Sequence, residues 1–298
     1  MSNKIYILHH DDLDGITSGI IANEYFENAK LISCNYENKI DPLDFIDKND
    51  FVIIVDYSFE PKIMQELYKR LNGNLIWIDH HISAINKSKQ FGYDKIKGMR
   101  DINYCGAELT YLYYSKSKQI PLLLKEIGNF DMFRTFGKNE FEDTLALFYG
   151  CMANQHILKD AFIDIIKNNG INEQKYFESF KKDGFAILRY KKVEYIEDGN
   201  KYSYVRNIWG KRVLCMNTPE GGLGLQLVKI FNPDEHDMIL TYNYNGTHWC
   251  YGFYTDKLKH PEVNCAEIAE TYGGGGHKSA AGAETDYIFE ELLIQQWS

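Results

Sequence analysis

The chain has 298 residues, of which 44% are hydrophobic and 14% aromatic, and its formal net charge is −9. This composition provides apolar material for one large domain or two ordinary ones, and it excludes an intrinsically disordered chain. The acidic balance disfavours nonspecific wrapping of a long polyanion, so a nucleic-acid substrate should be short or held at a local site.

The cysteine pattern and the hydropathy exclude further classes of protein. Six cysteines are scattered without a CxxC pair, which argues against a zinc ribbon, a thioredoxin-type motif and a secreted disulfide scaffold. The first ten residues lack the pattern of a signal peptide, and no apolar run reaches the roughly 18 residues of a membrane-spanning helix. We therefore expect a reduced, cytoplasmic protein without a membrane partner.

Short apolar runs alternate with helical patterns in the N-terminal third of the chain. The runs cover residues 4–8, 51–55 and 74–78, and they predict an α/β fold whose parallel sheet has helices on both faces. Polar residues follow each run at once: His10-x-Asp12-x-Asp14-Gly15, then Asp56, then Asp79-His80-His81. Because ligand sites lie beyond the carboxyl ends of parallel strands, we expect these clusters to converge on one edge.

The rest of the chain divides into a helical and a strand-rich part. Residues 107–192 have mostly helical spacing, which Gly128-Asn129-Phe130-Asp131 interrupts, and Asp198-Gly199-Asn200 is a turn signal. Beyond it, residues 202–205, 212–216, 238–244 and 249–254 predict strands, and residues 264–272 a helix. We predict a catalytic domain over residues 1–190, a linker over 191–200, and a smaller α/β domain over 201–298.

The three strand-end clusters carry the residue types of a site for two divalent cations. Alternate residues of an extended segment face one side, which would direct His10, Asp12 and Asp14 into one cavity. Imidazole combined with carboxylates suits a borderline-hard ion such as Mn²⁺, and two such ions can clamp a phosphoryl group and activate a water. Phosphate-ester hydrolysis is the reaction class that this arrangement favours.

Each cluster alone has an ordinary structural alternative. The acids around Asp12 could form a turn or a helix N-cap, Asp56 could cap the following helix, and Asp79-His80-His81 could be a solvated loop. Their shared position after apolar strands favours the metal site.

The glycine-rich segment near the C-terminus is the second candidate site. Gly274, Gly275 and Gly276 expose backbone N–H groups that can cradle a phosphate or a base, and His277 and Lys278 add donors. The alternative is a glycine-terminated helix end. Aromatic residues of the same part could stack on bases or fill the core of a sheet, and these are Trp249, Tyr251 and Tyr254.

The order of these motifs resembles the DHH phosphoesterases, a superfamily that includes RecJ-type exonucleases, nanoRNases, cyclic-dinucleotide phosphodiesterases and family II inorganic pyrophosphatases. The resemblance rests on HxDxDG, a strand-end aspartate, DHH and a later aspartate. The run YGGGGHKSAAG is similar to the signature of the associated DHHA1 substrate-binding domain. The form His-x-Asp-Leu-Asp-Gly is closer to the nanoRNase branch than to RecJ or the pyrophosphatases.

The resemblance also implies roles for single residues. One cation would be held by His10, Asp12 and Asp56, and the other by Asp14, Asp56, His80 and Asp131. Asp79 would orient His80, and His81 would contact the substrate phosphate, so that Asp56, Asp79 and His81 are the catalytic residues. Residues 274–278 would bind the substrate. For His9 a structural role is expected.

The leading functional hypothesis is hydrolysis of short RNA oligonucleotides to 5′-mononucleotides with two divalent cations, Mn²⁺ being expected. A second is a phosphodiesterase or phosphatase for linear or cyclic dinucleotides or for 3′-phosphoadenosine 5′-phosphate. A third, of another class, is a non-catalytic nucleic-acid-binding module, which the intact ligand set disfavours. A homodimer is left open.

Overall fold

The structure is a computed structural model that describes residues 3–36, 40–115, 119–132, 134–135, 140–167, 170–218, 227–228, 230–231 and 234–293. The chain divides into two compact units, residues 1–188 and 189–298. None of the helices in the described ranges is long and apolar enough to cross a membrane.

A four-stranded parallel sheet forms the centre of the first unit. Its strands are β1 (Ile5–His10), β2 (Lys30–Cys34), β3 (Phe51–Val55) and β4 (Leu75–Ile78), in the order β2-β1-β3-β4. The three strands predicted from the apolar runs are confirmed. Strand β2 is not predicted from the sequence, because four of its five residues are exposed or half-buried at the edge of the sheet and it contains no continuous apolar run.

Alternate residues of the strands enter two separate cores, as the period of two in a strand requires. Leu8 and Ile54 pack on one face against Met64 of α2 (Pro61–Leu71). Ile7 and Ile53 pack on the other face in the cluster that contains α1 (Leu13–Asn23) and α4 (Gly106–Ser115). The prediction of an α/β fold with helices on both faces is confirmed.

Four further helices pack in a third cluster around α1, and they are α5 (Leu122–Asp131), α6 (Phe141–Ala153), α7 (Gln155–Lys167) and α8 (Glu173–Tyr202). The helix α3 (Ile82–Phe91) instead packs through Ala84 in the cluster of Leu8 and Ile54, and residues 42–44 form a 3₁₀ turn. The backbones of α6 and α8 approach closely, because a Cβ at Gly184 would lie 1.5 Å from the carbonyl oxygen of Ala146. The expected interruption at residues 128–131 is wrong, since these residues are the last turn of α5.

The second unit contains a six-stranded mixed sheet in the order β5-β6-β7-β8-β10-β9. The strands are β5 (Ser203–Ile208), β6 (Lys211–Asn217), β7 (Met238–Tyr244), β8 (Trp249–Tyr254), β9 (Gly275–His277) and β10 (Ala280–Thr285), with short helices α9 (Cys265–Glu270) and α10 (Glu290–Leu293). Among the described strand pairs of this second sheet, only β6 and β7 are parallel. The four strands and the helix predicted for this part are present, and Tyr251 and Tyr254 are core residues.

The turn expected at residues 198–200 is wrong, because α8 continues through them to Tyr202. Residues 191–200, predicted as a linker, are helical. Gly199 is buried in this helix, where a Cβ would lie 1.8 Å from the ring of Phe231. Glycine at position 199 therefore provides room for an aromatic ring. It does not form a turn. The division between the units falls at residue 188, inside α8.

The glycine-rich segment, interpreted from the sequence as a backbone cradle or a helix end, is part of a β-hairpin. Gly275–His277 form the edge strand β9, which pairs with β10. Cβ atoms at Gly274 and Gly276 would lie 2.1 Å from the Gly282 oxygen and 2.6 Å from the Ala281 Cα. Positions 274 and 276 therefore require glycine, because two backbones approach each other closely there. A Cβ at Gly275 would meet open space.

Candidate metal centre

The first group of site residues lies at the junction of β1 and α1. His10 ends the strand, and Asp12 is the N-cap of α1, where its Oδ1 accepts a hydrogen bond from the Gly15 amide at 2.8 Å. His10 Nδ1 lies 2.8 Å from Asp12 Oδ2. The extended geometry expected for His10, Asp12 and Asp14 is wrong for Asp14, because this residue lies inside the first turn of α1. The helical turn still directs it toward the same centre.

The N-terminus of α4 holds Asp14 in place. The carboxylate is 2% exposed and accepts hydrogen bonds from the backbone amides of Gly106 at 2.6 Å and Ala107 at 2.8 Å. These amides lie in the first turn of the helix, where unsatisfied N–H groups favour an anion. Neither glycine nor alanine is indicated by the sequence around Asp14, because both lie more than 90 positions away in the chain.

Asp56 occupies the middle of the centre, one residue beyond β3. It is 1% exposed and adopts the left-handed backbone region with φ 52°. Its Oδ1 lies 3.2 Å from Nε2 of His80. A Cβ at Gly106 would lie 2.5 Å from the Asp56 Cβ, so glycine at position 106 leaves the space that this carboxylate occupies.

The two histidines after β4 have different surroundings. His80 Nε2 lies 3.6 Å from Asp131 Oδ2 and 3.8 Å from Asp14 Oδ2. Asp79 is fully buried, and its Oδ1 accepts hydrogen bonds from the backbone amide of His81 at 3.1 Å and from His81 Nδ1 at 2.7 Å. The family resemblance implies that Asp79 orients His80. The structure corrects this, because Asp79 orients His81.

Asp131, the last residue of α5, enters the centre beside His80. A partly buried ion pair follows in the chain: Arg134 donates to both carboxylate oxygens of Glu108, at 2.9 and 2.7 Å. Glu108 also accepts a hydrogen bond from the Cys105 amide at 3.0 Å. This pair links the segment after α5 to the start of α4. The other nearby acid, Asp101, instead accepts hydrogen bonds from Asn103.

The donor atoms form three overlapping groups, each with all its atoms within 4.8 Å of one another. The groups are His10–Asp12–Asp56, Asp14–His80–Asp131 and Asp56–His80–His81. Every histidine and aspartate proposed as a ligand belongs to at least one of them, and Asp56 and His80 each belong to two. His9, in contrast, packs against Gly19, and its Nδ1 lies 2.7 Å from the His10 carbonyl oxygen.

The buried polar atoms of the centre are suited to binding cations. Asp56 Oδ1, His80 Nε2 and Asp131 Oδ2 are buried, and within the described part of the chain they have no hydrogen-bond partner. A buried polar atom without a partner costs about 1–3 kcal/mol, so these atoms are suited to binding an ion.

The pKa shifts of the aspartates and of His80 also favour a cation site. Burial raises the pKa of Asp14, Asp56 and Asp131, and repulsion by neighbouring carboxylates raises it further. Burial lowers the pKa of His80, which favours the neutral imidazole that binds metals. Divalent cations would relieve the repulsion among the carboxylates.

A comparison with protein families identifies the first unit. Residues 4–129 match the DHH family, N-terminal domain. These residues are a DHH-family N-terminal domain. The match includes every candidate ligand except Asp131, which lies two positions beyond it, and it includes the Asp79-His80-His81 motif.

Similar proteins extend the comparison over the whole chain. An uncharacterized protein, R106, of Acanthamoeba polyphaga mimivirus is 24% identical over 93% of this chain and 66% of its own length. The chain thus spans slightly less than two thirds of this relative. RecJ of Thermus thermophilus, solved in complex with Mn²⁺, superposes with a TM-score of 0.53 at 12% identity, over 95% of this chain and 49% of RecJ.

A second solved structure is similar over nearly the full length of both proteins. PggH of Vibrio cholerae, a pGpG-specific phosphodiesterase, has a TM-score of 0.50 at 14% identity, over 96% of this chain and 94% of PggH. At such low identity these two likenesses show only that this chain has a fold similar to that of PggH and of the matched part of RecJ.

Proposed function

We propose that this protein is a metal-dependent phosphodiesterase that hydrolyses short oligonucleotides to 5′-mononucleotides. The observation that carries the proposal is the arrangement of His10–Asp12–Asp56 and Asp14–His80–Asp131 as two ligand groups with Asp56 between them, its Oδ1 3.2 Å from His80 Nε2. The DHH-family match and the likeness to RecJ with Mn²⁺ support two Mn²⁺ ions as the cofactor.

In this proposal the residues have separate tasks. His10, Asp12 and Asp56 hold one cation, and Asp14, Asp56, His80 and Asp131 hold the other. The two cations would supply positive charge to the phosphoryl group and to the attacking water. His81, oriented by Asp79 and 38% exposed, contacts the phosphate and stabilises the charge that develops on it.

Two features support a short nucleotide substrate. The net charge of −9 disfavours extended contact with a long polyanion. The second unit, proposed as a DHHA1 domain, would contribute Gly275, His277 and Lys278, which lie on or next to the edge strand β9. Cytoplasmic location and a homodimer stay predictions from the sequence.

A substrate panel tests this proposal. Purified protein with Mn²⁺ is incubated with dinucleotides, five-residue RNA, long single-stranded DNA, cyclic dinucleotides, 3′-phosphoadenosine 5′-phosphate and pyrophosphate, and the products are resolved by chromatography. We expect the highest kcat/KM for the short RNAs, with 5′-mononucleotides as products. Preference for long DNA or pyrophosphate would overturn the proposal, and binding without turnover would favour a non-catalytic module.

Variants test the roles. Asp56→Ala should abolish both metal binding and turnover, because Asp56 lies between the two ligand groups. His277→Ala should mainly raise KM, because His277 is proposed to bind substrate away from the reacting atoms. The opposite pattern would show that the roles are wrongly assigned.

A further inference from the structure

A ladder of three aromatic rings leads from the core of the first unit toward the metal centre. Phe59 and Tyr57 are buried, with 6% and 5% of their surface exposed, whereas Tyr36 is 52% exposed. The ring centroids of Tyr57 and Phe59 are 5.0 Å apart in an edge-to-face contact, and those of Tyr36 and Tyr57 are 4.8 Å apart in a stacked one. One face of the Tyr36 ring thus packs on Tyr57, and half of the Tyr36 surface remains accessible.

The ladder ends beside a proposed metal ligand. The ring of His10 lies 5.5 Å from the ring of Tyr36 and 6.0 Å from that of Tyr57. His10 belongs to the ligand group with Asp12 and Asp56. A ring at this separation from a proposed ligand of the phosphate-binding cations lies within the span of a single nucleotide, from its phosphate to its base.

The support under Tyr36 is rigid. The Tyr57 hydroxyl donates to the backbone carbonyl oxygen of Asn35 at 3.1 Å, and the Tyr57 carbonyl oxygen accepts a hydrogen bond from Trp77 Nε1 at 3.0 Å. The first contact ties Tyr57 directly to the residue before Tyr36. A platform held in this way loses little side-chain freedom when a second ring stacks on it.

We propose that Tyr36 is the residue on which the nucleobase next to the scissile phosphate stacks. The inference rests on the proposed function and specifies the class of substrate. The substrate carries a base beside the cleaved bond, and a polyphosphate or pyrophosphate has no such base. Every base has a π-face, so stacking of this kind tolerates all four bases. Tyr36 positions the substrate and takes no part in the chemistry.

The test compares substrates with and without the base. The steady-state constants of wild type, Tyr36→Ala and Tyr36→Phe are measured with a 5′-phosphorylated dinucleotide and with its analogue that is abasic at the residue beside the scissile phosphate. Loss of the ring should raise KM for the dinucleotide about ten- to a hundredfold, as expected for a lost base–aromatic stack, and change KM for the abasic analogue little. Tyr36→Phe keeps the stacking surface and should behave like wild type.

Tyr25 provides a matched control. It is 40% exposed and stacks on Tyr114 at 5.1 Å, but it lies past the other end of α1 from the metal centre. Tyr25→Ala should leave both KM values unchanged. An unchanged dinucleotide KM in Tyr36→Ala, or an equal rise for both substrates, would overturn the inference.

Equilibrium binding separates failure of the inference from failure of the proposed function. Dinucleotide binding is measured by titration calorimetry with Ca²⁺ in place of Mn²⁺. Absence of turnover in the wild type would contradict the proposed function. A Kd for the dinucleotide that rises at least about tenfold in Tyr36→Ala would still support Tyr36 as the base platform, and an unchanged Kd would overturn it.

Discussion

Gly106 and Asp56 are in a contact that no other residue at position 106 would allow. A Cβ at residue 106 would lie 2.5 Å from the Asp56 Cβ and 2.7 Å from its Oδ1. The same glycine donates its amide hydrogen to Asp14. One residue at the start of α4 therefore positions two of the carboxylates proposed as metal ligands.

We predict that Gly106→Ala displaces Asp56 and weakens Mn²⁺ binding at least about tenfold while the fold is retained. Crowding of this kind costs about 1–3 kcal/mol of folding free energy, which a domain of this size tolerates. Calorimetric titration with Mn²⁺ gives the affinity, and circular dichroism reports the fold. Gly275→Ala is the control, since a Cβ there meets open space. Unchanged affinity in Gly106→Ala would show that the contact is not limiting.

The Glu108–Arg134 pair should stabilise the arrangement of α4 and Asp131. The Glu108 side chain is 3% exposed and that of Arg134 is 29% exposed, so Arg134→Gln leaves a buried carboxylate without its cation. We predict a loss of about 2–4 kcal/mol in the free energy of unfolding, measured with urea. Because Glu108→Gln removes the charge that Arg134 compensates, the double variant Glu108→Gln/Arg134→Gln should recover part of the loss. Strictly additive losses would contradict the coupling.

Asp79 should act on catalysis rather than on metal affinity, because its hydrogen bonds go to His81. We predict that Asp79→Asn lowers kcat about ten- to a hundredfold and leaves the Mn²⁺ affinity near that of wild type. Asp50→Asn is a matched control: Asp50 is also buried and accepts two backbone hydrogen bonds, but it precedes β3 at the opposite end of the sheet. Loss of metal binding in Asp79→Asn with normal turnover at saturating Mn²⁺ would instead support the earlier expectation that Asp79 orients the proposed ligand His80.

Stability of the second unit should depend on the protonation of His236. Burial, together with the nearby His260, lowers the pKa of His236 from its ordinary value of 6.5. The unfolded state therefore binds a proton more readily, and stability present above pH 6.5 is lost as the pH falls toward the folded pKa. We predict that His236→Gln reduces the fall in Tm between about pH 7 and pH 5, whereas the exposed His248→Gln does not. Identical pH profiles of wild type and His236→Gln would contradict this.

The strand ends could be predicted because the signal is local. An apolar run followed at once by a polar cluster recurs at His10, Asp56 and Asp79, and the parallel sheet brings these positions to one edge. Asp131 has no comparable strand before it, and only the resemblance to a family indicated its role. The edge strand β2 could not be predicted, because its exposed residues interrupt the apolar pattern.

The parts that could not be predicted depend on contacts between distant residues. Nothing near Gly106 in the sequence shows that Asp14 and Asp56 pack against it, and nothing near Arg134 shows that Glu108 is its partner. Asp79 is adjacent to His80 and two positions from His81, so sequence spacing did not determine which imidazole it orients. The glycines around β9 were interpreted as a cradle, although two of them allow two backbones to approach.

The most direct test of the central claim is the number of Mn²⁺ ions bound per chain. Metal analysis after equilibrium dialysis, combined with electron paramagnetic resonance, measures the stoichiometry and detects magnetic coupling between neighbouring ions. We predict two Mn²⁺ per wild-type chain with a coupled spectrum, and loss of the coupled spectrum in Asp56→Asn. A single uncoupled ion in the wild type, or two coupled ions retained in Asp56→Asn, would contradict a dinuclear centre organised around Asp56.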